Sequence, residues 1–472
     1  MDLREIKKRI LKDPILLKLS HLSKEKNVSL FLVGGFLRDL LLGNTTKDYD
    51  FALPREASSF IPLMEEALGL RFFKVGKEER ETLTYRVVNG EISIDLTFLQ
   101  GDSIDEDLLR RDFTVNTIAF SLRDEMLHQA GGASEDLKNR VIRSVSKHAI
   151  DQDPLRMIRA IRYLCTLEGF VFDPALRDEI SRKKDLVRGL PGERLKMELD
   201  HILLSPRPAL GVRSLHESSL LLTLFPDLRG LEHLGQNEHH HLNVLSHTLL
   251  IVEKLSWALE WVALRKEARM LAQEDRLALY YAALFHDLGK QDTYSRDEKE
   301  KVHFYHHESF SCQRAEGIME RLRFSNVLKH RILHLIQNHM RILNLSRETK
   351  ETALKRLVYQ MGDDTPLLVL HTLADKEASR GILSVQLDEV VEDHSLRILK
   401  WFKEKDVVHP VSLINGHDVM ALGYPPGPKV GEILNFIRGK QVEGEIETRE
   451  EALNLLKEKS EDHMEGFPKR QK

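Results

Sequence analysis

The 472-residue sequence predicts an α+β protein, with a small mixed sheet and helices near the N-terminus and helices alone after it. Residues 29–33 form a short apolar run that enters a Gly-Gly pair, as expected of a buried strand before a helix. Asn89-Gly90, between the β-type runs 82–88 and 91–98, is a strong hairpin signal. Helical periodicity from about residue 153 to 405 predicts the all-α remainder.

Composition and charge exclude several classes of protein. Lys and Arg total 70 against 74 Asp and Glu, so any contact with nucleic acid must use local basic patches. The two cysteines, Cys165 and Cys312, cannot form a disulfide framework, and the cytoplasm is the expected compartment. No apolar run approaches the ~20 residues that span a bilayer, and the charged N-terminus lacks a signal-peptide segment. Secreted and membrane proteins are therefore not expected.

The order of composition along the chain predicts four segments. We expect a mixed α/β head (residues 1–150), a helical neck (151–230), a helical domain (231–405) and a helical tail (406–472). Histidine marks the third segment, because twelve of the 22 histidines fall between His233 and His339.

Two carboxylates follow the glycine pair at a spacing that suits a metal ion. In the run after Val33-Gly-Gly-Phe-Leu-Arg-Asp39, Asp48 and Asp50 occupy positions i and i+2. If a strand continues through them, both side chains point to one face and can hold Mg²⁺ with substrate phosphates. Gly34 and Gly35 would let the backbone approach a triphosphate, whose charge suits N–H groups at a helix start. A polar turn is the alternative for Asp-x-Asp taken alone.

This arrangement resembles the DNA polymerase β-type nucleotidyltransferases and, more closely, the class II tRNA nucleotidyltransferase and bacterial poly(A) polymerase family. The resemblance implies a polymerase β-like head with Asp48 and Asp50 as catalytic Mg²⁺ ligands. Asp95, in Ser93-Ile-Asp-Leu-Thr97, stands where the family often has a third acidic residue; an edge-strand aspartate is the alternative. With Gly-Gly, Arg38 completes the implied nucleotide-binding motif.

A second motif, Arg110-Arg-Asp-Phe-Thr-Val-Asn116, resembles the family segment that contacts the ribose of the incoming nucleotide. The resemblance implies that Arg111, Asp112 and Asn116 bind nucleotide. Physically, arginine suits phosphate and asparagine suits a sugar hydroxyl. A solvated surface is the alternative for such a charged run.

A third motif begins at Asp153 and resembles the family residues that recognise the edge of the incoming base. Asp153, Arg156 and Arg159 recur at i, i+3 and i+6, roughly one face of a predicted helix. In the family an Asp and an Arg here replace a template, since together they pair with C or A. The family often has Glu-Asp-x-x-Arg, and Gln152 departs from it, which puts the support of Arg156 in question. The alternative is that Asp153 only caps the helix.

The histidine-rich segment resembles the HD phosphohydrolase superfamily in the run Ala283-Leu-Phe-His-Asp-Leu-Gly-Lys290. The resemblance implies a site for a divalent transition metal or Mg²⁺, with these ligands: His247, His286, Asp287, His307, His339 and Asp375. Other histidines are expected at the surface or beside the ligands: His240, His241, His303, His306, His330 and His334. Some HD domains of the family hydrolyse phosphoesters, whereas others mainly hold tRNA.

Two further features concern RNA. The neck carries a cluster of cations that would face RNA phosphates or only solvent: Arg182, Lys183, Lys184, Arg188, Arg194 and Lys196. The stretch between Asp95 and Arg110 is short. Full CCA-adding members of the resembled family commonly carry a longer flexible loop there, and members that add only CC typically lack it. The sequence therefore favours CC addition or a divergent member.

The resemblance extends from about residue 29 to 455 and implies a tRNA nucleotidyltransferase. It would bind a tRNA 3′ end with CTP or ATP and transfer nucleotides without a nucleic-acid template; no membrane partner is expected, and the sequence leaves the oligomeric state open. A poly(A) polymerase, an HD hydrolase with an inactive head and a non-catalytic tRNA-binding protein are the alternatives. The intact Asp48, Asp50, Asp153 and Arg156 argue against the last two.

Overall fold

A computed structural model describes residues 3–76, 83–90, 92–235, 242–265, 271–379 and 385–462. The chain forms two compact units, Met1–Leu224 (unit 1) and Phe225–Lys472 (unit 2). The finer division into four segments stays a prediction. Some predicted positions lie outside the described residues, namely His240, His241, and Thr82 and Glu91 at the ends of the hairpin strands.

The described part of unit 1 contains a seven-stranded mixed sheet, which confirms the predicted head architecture. Its strands follow the order β3-β4-β5-β2-β1-β6-β7. They are β1 (Phe31–Val33), β2 (Asp48–Leu53), β3 (Phe73–Val75), β4 (Thr84–Asn89), β5 (Ile92–Phe98), β6 (Ile118–Ser121) and β7 (Leu127–Gln129). Strands β2 and β5 pair in parallel, and the other neighbours pair antiparallel. A separate parallel pair is formed by β8 (Val141–Ile142) and β9 (Val171–Phe172).

The predicted hairpin joins β4 to β5. Asn89 pairs with Ile92, and Gly90 has a φ of 62°, a left-handed conformation that the turn requires and that glycine adopts without steric cost. This turn sets the register of β4 against β5 and thereby determines which of their side chains share a face of the sheet.

Helices of unit 1 cover the sheet and continue beyond it. They are α1 (Leu3–Ile10), α2 (Pro14–Glu25), α3 (Gly35–Leu41), α4 (Phe60–Leu68), α5 (Ile104–Leu109), α6 (Ala133–Asn139), α7 (Ala149–Gln152), α8 (Arg156–Thr166), α9 (Pro174–Lys183), α10 (Gly192–Leu203), α11 (Pro208–Glu217) and α12 (Leu220–Leu224). Short 3₁₀ turns lie at Arg55–Ala57, Thr114–Asn116 and Lys184–Gly189. The core includes Leu16, Leu32, Phe51 and Phe120, all buried.

One predicted helix start is wrong. Helix α7 ends at Gln152, and α8 begins only at Arg156. The Asp153 carboxylate accepts a hydrogen bond from the Leu155 backbone N–H at 3.2 Å, two residues on, which makes a turn instead of a helix cap. Asp153 therefore lies between two helices, and only Arg156 and Arg159 share one.

The described part of unit 2 is helical apart from the hairpin of β10 (Tyr294–Arg296) and β11 (Val302–Phe304). Its helices are α13 (Val244–Leu264), α14 (Gln273–Phe285), α15 (Lys290–Thr293), α16 (His307–Arg321), α17 (Asn326–Asn338), α18 (Met340–Leu343), α19 (Glu351–Met361), α20 (Thr365–Ala378), α21 (Val385–Phe402), α22 (Lys405–Val408), α23 (Gly416–Ala421), α24 (Pro428–Glu443) and α25 (Arg449–Asp462), with 3₁₀ turns at Pro226–Leu231 and Gly362–Asp364. Nearly every residue of α20 is buried, so this helix forms the centre of the unit. Among the described residues, the helices are all too short or too polar to cross a membrane.

Candidate active site

The glycine pair after β1 brings the backbone against charged side chains. Gly34 has a φ of 67°, which other residues rarely adopt. A Cβ at Gly34 would lie 3.1 Å from Arg111 Nη1 and 3.5 Å from Asp50 Oδ2, and a Cβ at Gly35 would lie 3.6 Å from Asp50 Oδ2. Glycine is thus required at position 34 for conformation, and at both positions it keeps the turn open beside these groups.

Three carboxylates converge beside this turn. Asp48 and Asp50 lie on one face of β2, and Asp50 is directly opposite Asp95 of the parallel strand β5. Burial raises the pKa of the Asp50 carboxyl to about 6, and the charge of Asp95 adds to this effect. Such crowding of acidic groups favours a bound cation, and hard oxygen donors are the ligands that Mg²⁺ prefers. The donor set therefore fits a divalent metal ion.

A single cavity of about 890 Å³ brings the predicted head residues together. Each of the twelve lines it: Gly34, Gly35, Arg38, Asp48, Asp50, Asp95, Arg111, Asp112, Asn116, Asp153, Arg156 and Arg159. Residues up to 125 positions apart in sequence thus share one polar pocket, whose volume is that of a typical small-molecule site.

Two arginines flank the glycine turn. The Arg111 guanidinium donates through Nε and Nη2 to Asp107, at 3.2 and 2.9 Å, so that its Nη1 is the atom nearest Gly34. Arg38 is buried and donates through Nε and Nη2 to Asp39, at 2.9 and 3.1 Å. Asp107 and Asp39, which sequence reasoning did not single out, orient the two guanidinium groups.

A buried network connects the second motif to α8. Arg38 Nη1 donates to Asn116 Oδ1 at 2.9 Å, and Asn116 Nδ2 donates to Asp112 at 2.9 Å and to the Tyr163 hydroxyl at 3.0 Å. Arg159 Nε in turn donates to Asp112 at 2.9 Å. Burial alone would raise the pKa of Asp112, but the Arg159 charge and these hydrogen bonds outweigh it and lower the pKa. Tyr163 was missed by sequence reasoning, although it lies one turn after Arg159.

The side chains of the third motif are held by backbone carbonyl groups and by an arginine of the neck. Arg156 donates to the carbonyl oxygens of Ala149 at 3.2 Å and Arg110 at 2.7 Å, whereas Gln152 Oε1 is 3.5 Å away. Backbone carbonyls thus do most of the orienting of Arg156. Asp153 Oδ2 accepts from Arg194 Nη2 at 2.8 Å, so a residue expected only in the basic neck cluster orients the predicted base-contacting carboxylate.

Asp95 has a partner on the neighbouring strand that sequence reasoning missed. Arg86 of β4 donates through Nε and Nη2 to the two oxygens of Asp95, both at 2.6 Å. A two-residue loop at Asn89-Gly90 would have paired Arg86 with Ser93, whereas the observed register, in which Asn89 pairs with Ile92, places Arg86 opposite Asp95. The turn signal alone therefore could not have identified this pair.

Unit 2 contains a second, buried cluster of polar side chains. His247 of α13 lies 3.0 Å from Asp375 of α20, between Nε2 and Oδ1. The His307 and His339 Nε2 atoms are 3.1 Å apart, and His307 Nε2 is 3.4 Å from Asp287 Oδ1. The six predicted ligands are all buried: His247, His286, Asp287, His307, His339 and Asp375.

The donor atoms of this cluster fit a metal ion. Ligand atoms within 4.8 Å of one another are supplied by His247, His286 and Asp375, and by His286, Asp287 and His339. Asp287 Oδ2 lies 3.2 Å from His286 Nε2 and 2.8 Å from Lys290 Nζ, so nitrogen atoms surround the buried carboxylate. Burial by itself would raise the pKa of Asp287, but His286 and Lys290 hold it well below its usual range. A buried carboxylate needs compensating positive charge, which Lys290 supplies here and to which a bound cation could add.

A seventh residue, His371, lies beside this cluster and was not predicted. Its ring centroid is 5.0 Å from that of His286 and 5.8 Å from that of His339. Burial lowers the pKa of His371 to about 3, and the charge of His286 adds to this effect. His371 precedes Asp375 by one helical turn on α20, and that spacing was the available signal.

Of the histidines expected outside the ligand set, His306 and His330 are exposed. His303 and His334 are partly buried and lie 3.0 and 3.1 Å from carboxylate oxygens of Asp297 and Asp364. None of the four belongs to the cluster.

Comparisons with known proteins agree with this architecture. Family models match as poly A polymerase head domain (residues 30–143), as RNA and SrmB- binding site of polymerase A (169–231) and as tRNA nucleotidyltransferase domain 2 (296–456). The chain is 35% identical to the CC-adding tRNA nucleotidyltransferase of Thermus thermophilus, over 90% of this chain and 92% of that protein. It is 33% identical to the A-adding tRNA nucleotidyltransferase of Deinococcus radiodurans, over 89% and 93%.

Solved structures share the fold. The Thermotoga maritima CCA-adding enzyme complexed with tRNA matches with a TM-score of 0.59 and 22% identity, over 98% of this chain and 99% of that one. A CCA-adding enzyme in complex with CTP matches with a TM-score of 0.64 and 22% identity, over 98% and 99%.

The mixed sheet, the Gly-Gly turn and the converging carboxylates define a nucleotidyltransferase head. The identity to curated relatives extends this over nearly the whole chain. The protein belongs to the class II tRNA nucleotidyltransferase and poly(A) polymerase family. The assignment of the histidine cluster to the HD superfamily stays a prediction, since the matching model there is that of a tRNA nucleotidyltransferase domain.

Proposed function

We propose that the protein is a CC-adding tRNA nucleotidyltransferase, which transfers CMP from CTP to the 3′ end of tRNA lacking its CCA sequence. The relatives named above include both a CC-adding and an A-adding enzyme, so their names do not decide between the activities. The observation that carries the proposal is the connection between β5 and α5. Only residues 99–103 separate the two elements, which leaves no room for a long flexible loop.

This connection is closed by its own hydrogen bonds. The Gln100 backbone N–H donates to Asp107 Oδ1 at 3.0 Å, and the Asp102 N–H donates to Glu106 Oε2 at 3.1 Å. Ser103 caps α5 by accepting from the Glu106 N–H at 3.3 Å. A segment with these local bonds is a tight turn, so a site that switches from C to A by a moving loop is not favoured.

Asp48, Asp50 and Asp95 are the residues that would hold Mg²⁺ in the head. Bound there, Mg²⁺ would supply charge stabilisation and lower the pKa of the attacking hydroxyl. Arg111 Nη1, which lies beside Gly34 while Asp107 holds the guanidinium, would bind the triphosphate.

Asn116 and Asp153 would fix the ribose and the base. Asn116 Oδ1 accepts from Arg38, and an amide oxygen has a second lone pair that can accept from a ribose hydroxyl. Asp153 would accept from the exocyclic amine of cytosine, while Arg156 donates to its ring acceptors. Uracil and guanine lack that combination, so discrimination comes from fixed side chains and not from a template.

A tRNA-extension assay tests the proposal. Wild-type protein is incubated with Mg²⁺, CTP or ATP, and three tRNAs that lack CCA, end in C or end in CC, and products are sized to one nucleotide. We expect CTP incorporation that stops at CC. Asp50→Asn should abolish incorporation while the fold, checked by circular dichroism, is kept.

The other results of this assay assign the alternatives. Continued A addition to CC ends would show a full CCA-adding enzyme, and A addition on CC ends alone would show an A-adding enzyme. Long A tails on unrelated RNA would show a poly(A) polymerase. No incorporation on any tRNA would refute the nucleotidyl transfer itself. Because the proposed substrate is tRNA, we propose a cytoplasmic location.

A second candidate activity, metal-dependent phosphoester hydrolysis, is favoured by the buried carboxylate and imidazole donors that converge in unit 2. His247, His286, Asp287 and Asp375 would hold the metal, which would supply an activated water. The test uses 2′,3′-cyclic AMP with Mg²⁺, Mn²⁺, Co²⁺ or Ni²⁺, and Asp287→Asn as the variant. Hydrolysis that is lost in Asp287→Asn but kept in Asp50→Asn would support this activity, and absence of hydrolysis with every metal would refute it.

A further inference from the structure

We propose that Arg86 binds a backbone phosphate of the RNA strand that carries the attacking 3′ hydroxyl. This inference rests on the proposed nucleotidyl transfer and adds a contact on the RNA side of the site. None of the sequence motifs includes Arg86, which lies on β4, the strand beyond the one that carries Asp95.

Strand register places three charged side chains in one row across the sheet, and the glycine turn follows the strand on the far side of β2. Val33, which precedes the Gly-Gly turn, ends β1 beside β2; Asp50 of β2 pairs with Asp95 of β5, and Asp95 pairs with Arg86 of β4. Strands lie about 4.8 Å apart, so Arg86 is roughly 10 Å from Asp50 across the sheet. The glycine turn and Arg86 therefore flank the carboxylates from opposite sides.

The attacking oxygen and the leaving oxygen of the reaction must lie on opposite sides of the phosphorus atom. In phosphoryl transfer the attacking oxygen and the leaving oxygen are in line through phosphorus. Arg111 lies at the glycine side, where its Nη1 can meet the phosphates of the leaving pyrophosphate. The attacking hydroxyl must then approach from the Asp95 side, and the phosphate behind that hydroxyl approaches β4.

Arg86 has the exposure and the free donors for that phosphate. Its side chain is 41% exposed and lines the same cavity as the carboxylates. A guanidinium carries five N–H donors, and two hydrogen bonds to Asp95 leave donors for another anion. Because Asp95 holds both Nε and Nη2 at 2.6 Å, the guanidinium plane is already oriented, and less side-chain freedom is lost on binding.

Thr84 supports the same face. It lies two residues before Arg86 on β4, pairs with Thr97 of β5, and both threonines line the cavity. Hydroxyl groups are common donors to nucleic-acid phosphates, so this face of β4 and β5 offers neutral donors next to one cation. We do not expect these residues to bind the incoming nucleotide, since its triphosphate would bind beside the Gly-Gly turn, on the opposite side of the carboxylates.

The test separates RNA binding from nucleotide binding. Arg86→Ala, Arg86→Lys and the control Arg123→Ala are assayed for CTP addition to tRNA lacking CCA. Arg123 forms a two-bond pair with Asp124, at 2.9 and 3.1 Å, but does not line the cavity. We expect Arg86→Ala to raise KM for tRNA about 10-fold, as for one lost phosphate contact, with KM for CTP changed less than about two-fold. Arg86→Lys should recover much of the tRNA affinity.

A second readout does not need catalysis. Equilibrium binding of the same tRNA is measured without CTP at several salt concentrations. Loss of one single-strand phosphate contact should reduce the slope of log K against log salt by about 0.7 in Arg86→Ala, and Arg123→Ala should leave it unchanged. Thermal unfolding monitored by circular dichroism confirms that the variants fold.

Two results would overturn the inference. If Arg86→Ala lowers only kcat, with both KM values and the salt slope unchanged, Arg86 acts through Asp95 alone. If KM for CTP rises as much as KM for tRNA, Arg86 belongs to the nucleotide side. Failure of the proposed function is distinct, because it would appear as inactive wild-type protein.

Discussion

Gly34 meets two separate demands, and they can be tested apart. Its φ of 67° is costly for any other residue, and an added Cβ would lie 3.1 Å from Arg111 Nη1. Gly43 has a φ of 86° but nothing within 4 Å of an added Cβ. We expect Gly34→Ala and Gly43→Ala to lose a similar stability, about 1–2 kcal/mol. Only Gly34→Ala should raise KM for CTP, by at least about 10-fold, because Arg111 must move.

Urea unfolding gives the stabilities in this comparison, and steady-state CTP addition gives KM. Equal KM values for the two variants would show that the close approach of Gly34 to Arg111 and Asp50 has no part in nucleotide binding.

Arg194 offers a second test at the level of single residues. It donates to Asp153 Oδ2 at 2.8 Å, whereas Arg188 pairs with the exposed Asp185. In Arg194→Ala the Asp153 carboxylate loses this orientation, so we expect discrimination between CTP and UTP to fall about 10-fold, equivalent to about 1.4 kcal/mol. Competition between the two nucleotides in one reaction measures the ratio. Arg188→Ala serves as the control and should keep the wild-type ratio.

Some residues of the site could be predicted from the sequence, and others could not. Gly34, Asp48 and Asp50 belong to a motif in which the Gly-Gly pair and the two carboxylates together indicate the chemistry. Arg194 and His371 were not assigned to a site from the sequence, because each becomes relevant only when a helix brings it beside other residues of the site. An arginine in the neck and a histidine in a helix give no signal in the sequence. Only the packing of the helices shows which residues they contact.

At the level of elements, α8 and α10 are joined by a buried carboxylate. Glu198 of α10 is 1% exposed and lies 3.3 Å from Arg162 and 3.8 Å from Arg159, both on α8. Glu198→Ala would leave two partly buried guanidinium groups without this charge, and we expect the free energy of unfolding to fall by about 3 kcal/mol. Asp185→Asn, in an exposed pair, should change it by less than about 0.5 kcal/mol. A loss below about 1 kcal/mol for Glu198→Ala in urea denaturation would contradict a structural role for this ion pair.

Elements were predicted well where a local signal is strong. Asn89-Gly90 predicted a hairpin, and the glycine has the positive φ that such a turn requires. The start of α8 was misplaced, because Asp153-Pro154 satisfies the sequence signals for a helix cap. The carboxylate instead bonds the N–H two residues on, and competition between these local bonds is decided by tertiary contacts such as Arg194.

At the scale of the whole molecule, RNA binding must arise from local charge, since the net charge is −4. In the neck, Lys183 pairs with Asp151 and Glu179, and Lys196 pairs with Asp200. These pairs reduce the cationic field of the cluster. Arg182 and Lys184 are two further cations of the cluster. The double variant of Arg182→Ala with Lys184→Ala should reduce the slope of log K against log salt for tRNA by about 1–2.

Fluorescence anisotropy with labelled tRNA between 50 and 200 mM salt, a range in which phosphate contacts give a measurable slope, checks this prediction. The double variant of Arg9→Ala with Lys12→Ala, on and just after α1, is the control. An equal change of slope in both double variants would show that the neck cluster has no special role.

The order of regions along the chain was predictable because two motif sets, far apart, each imply their own chemistry. What unit 2 does with its cluster was less accessible. A His-Asp pair in sequence does not show that His286 lies within reach of both Asp375 and His339, which only packing of several helices produces.

The support of Arg156 has a consequence for how this family can vary. A carboxylate at position 152 would be lost by a single change of codon, but the carbonyl oxygens of Ala149 and Arg110 are present whatever side chains those positions encode. We therefore expect a substitution at position 152 to leave Arg156 oriented, provided that the backbone path of α7 is kept. Gln152 is thus compatible with an Arg156 side chain oriented for its predicted contact with the base.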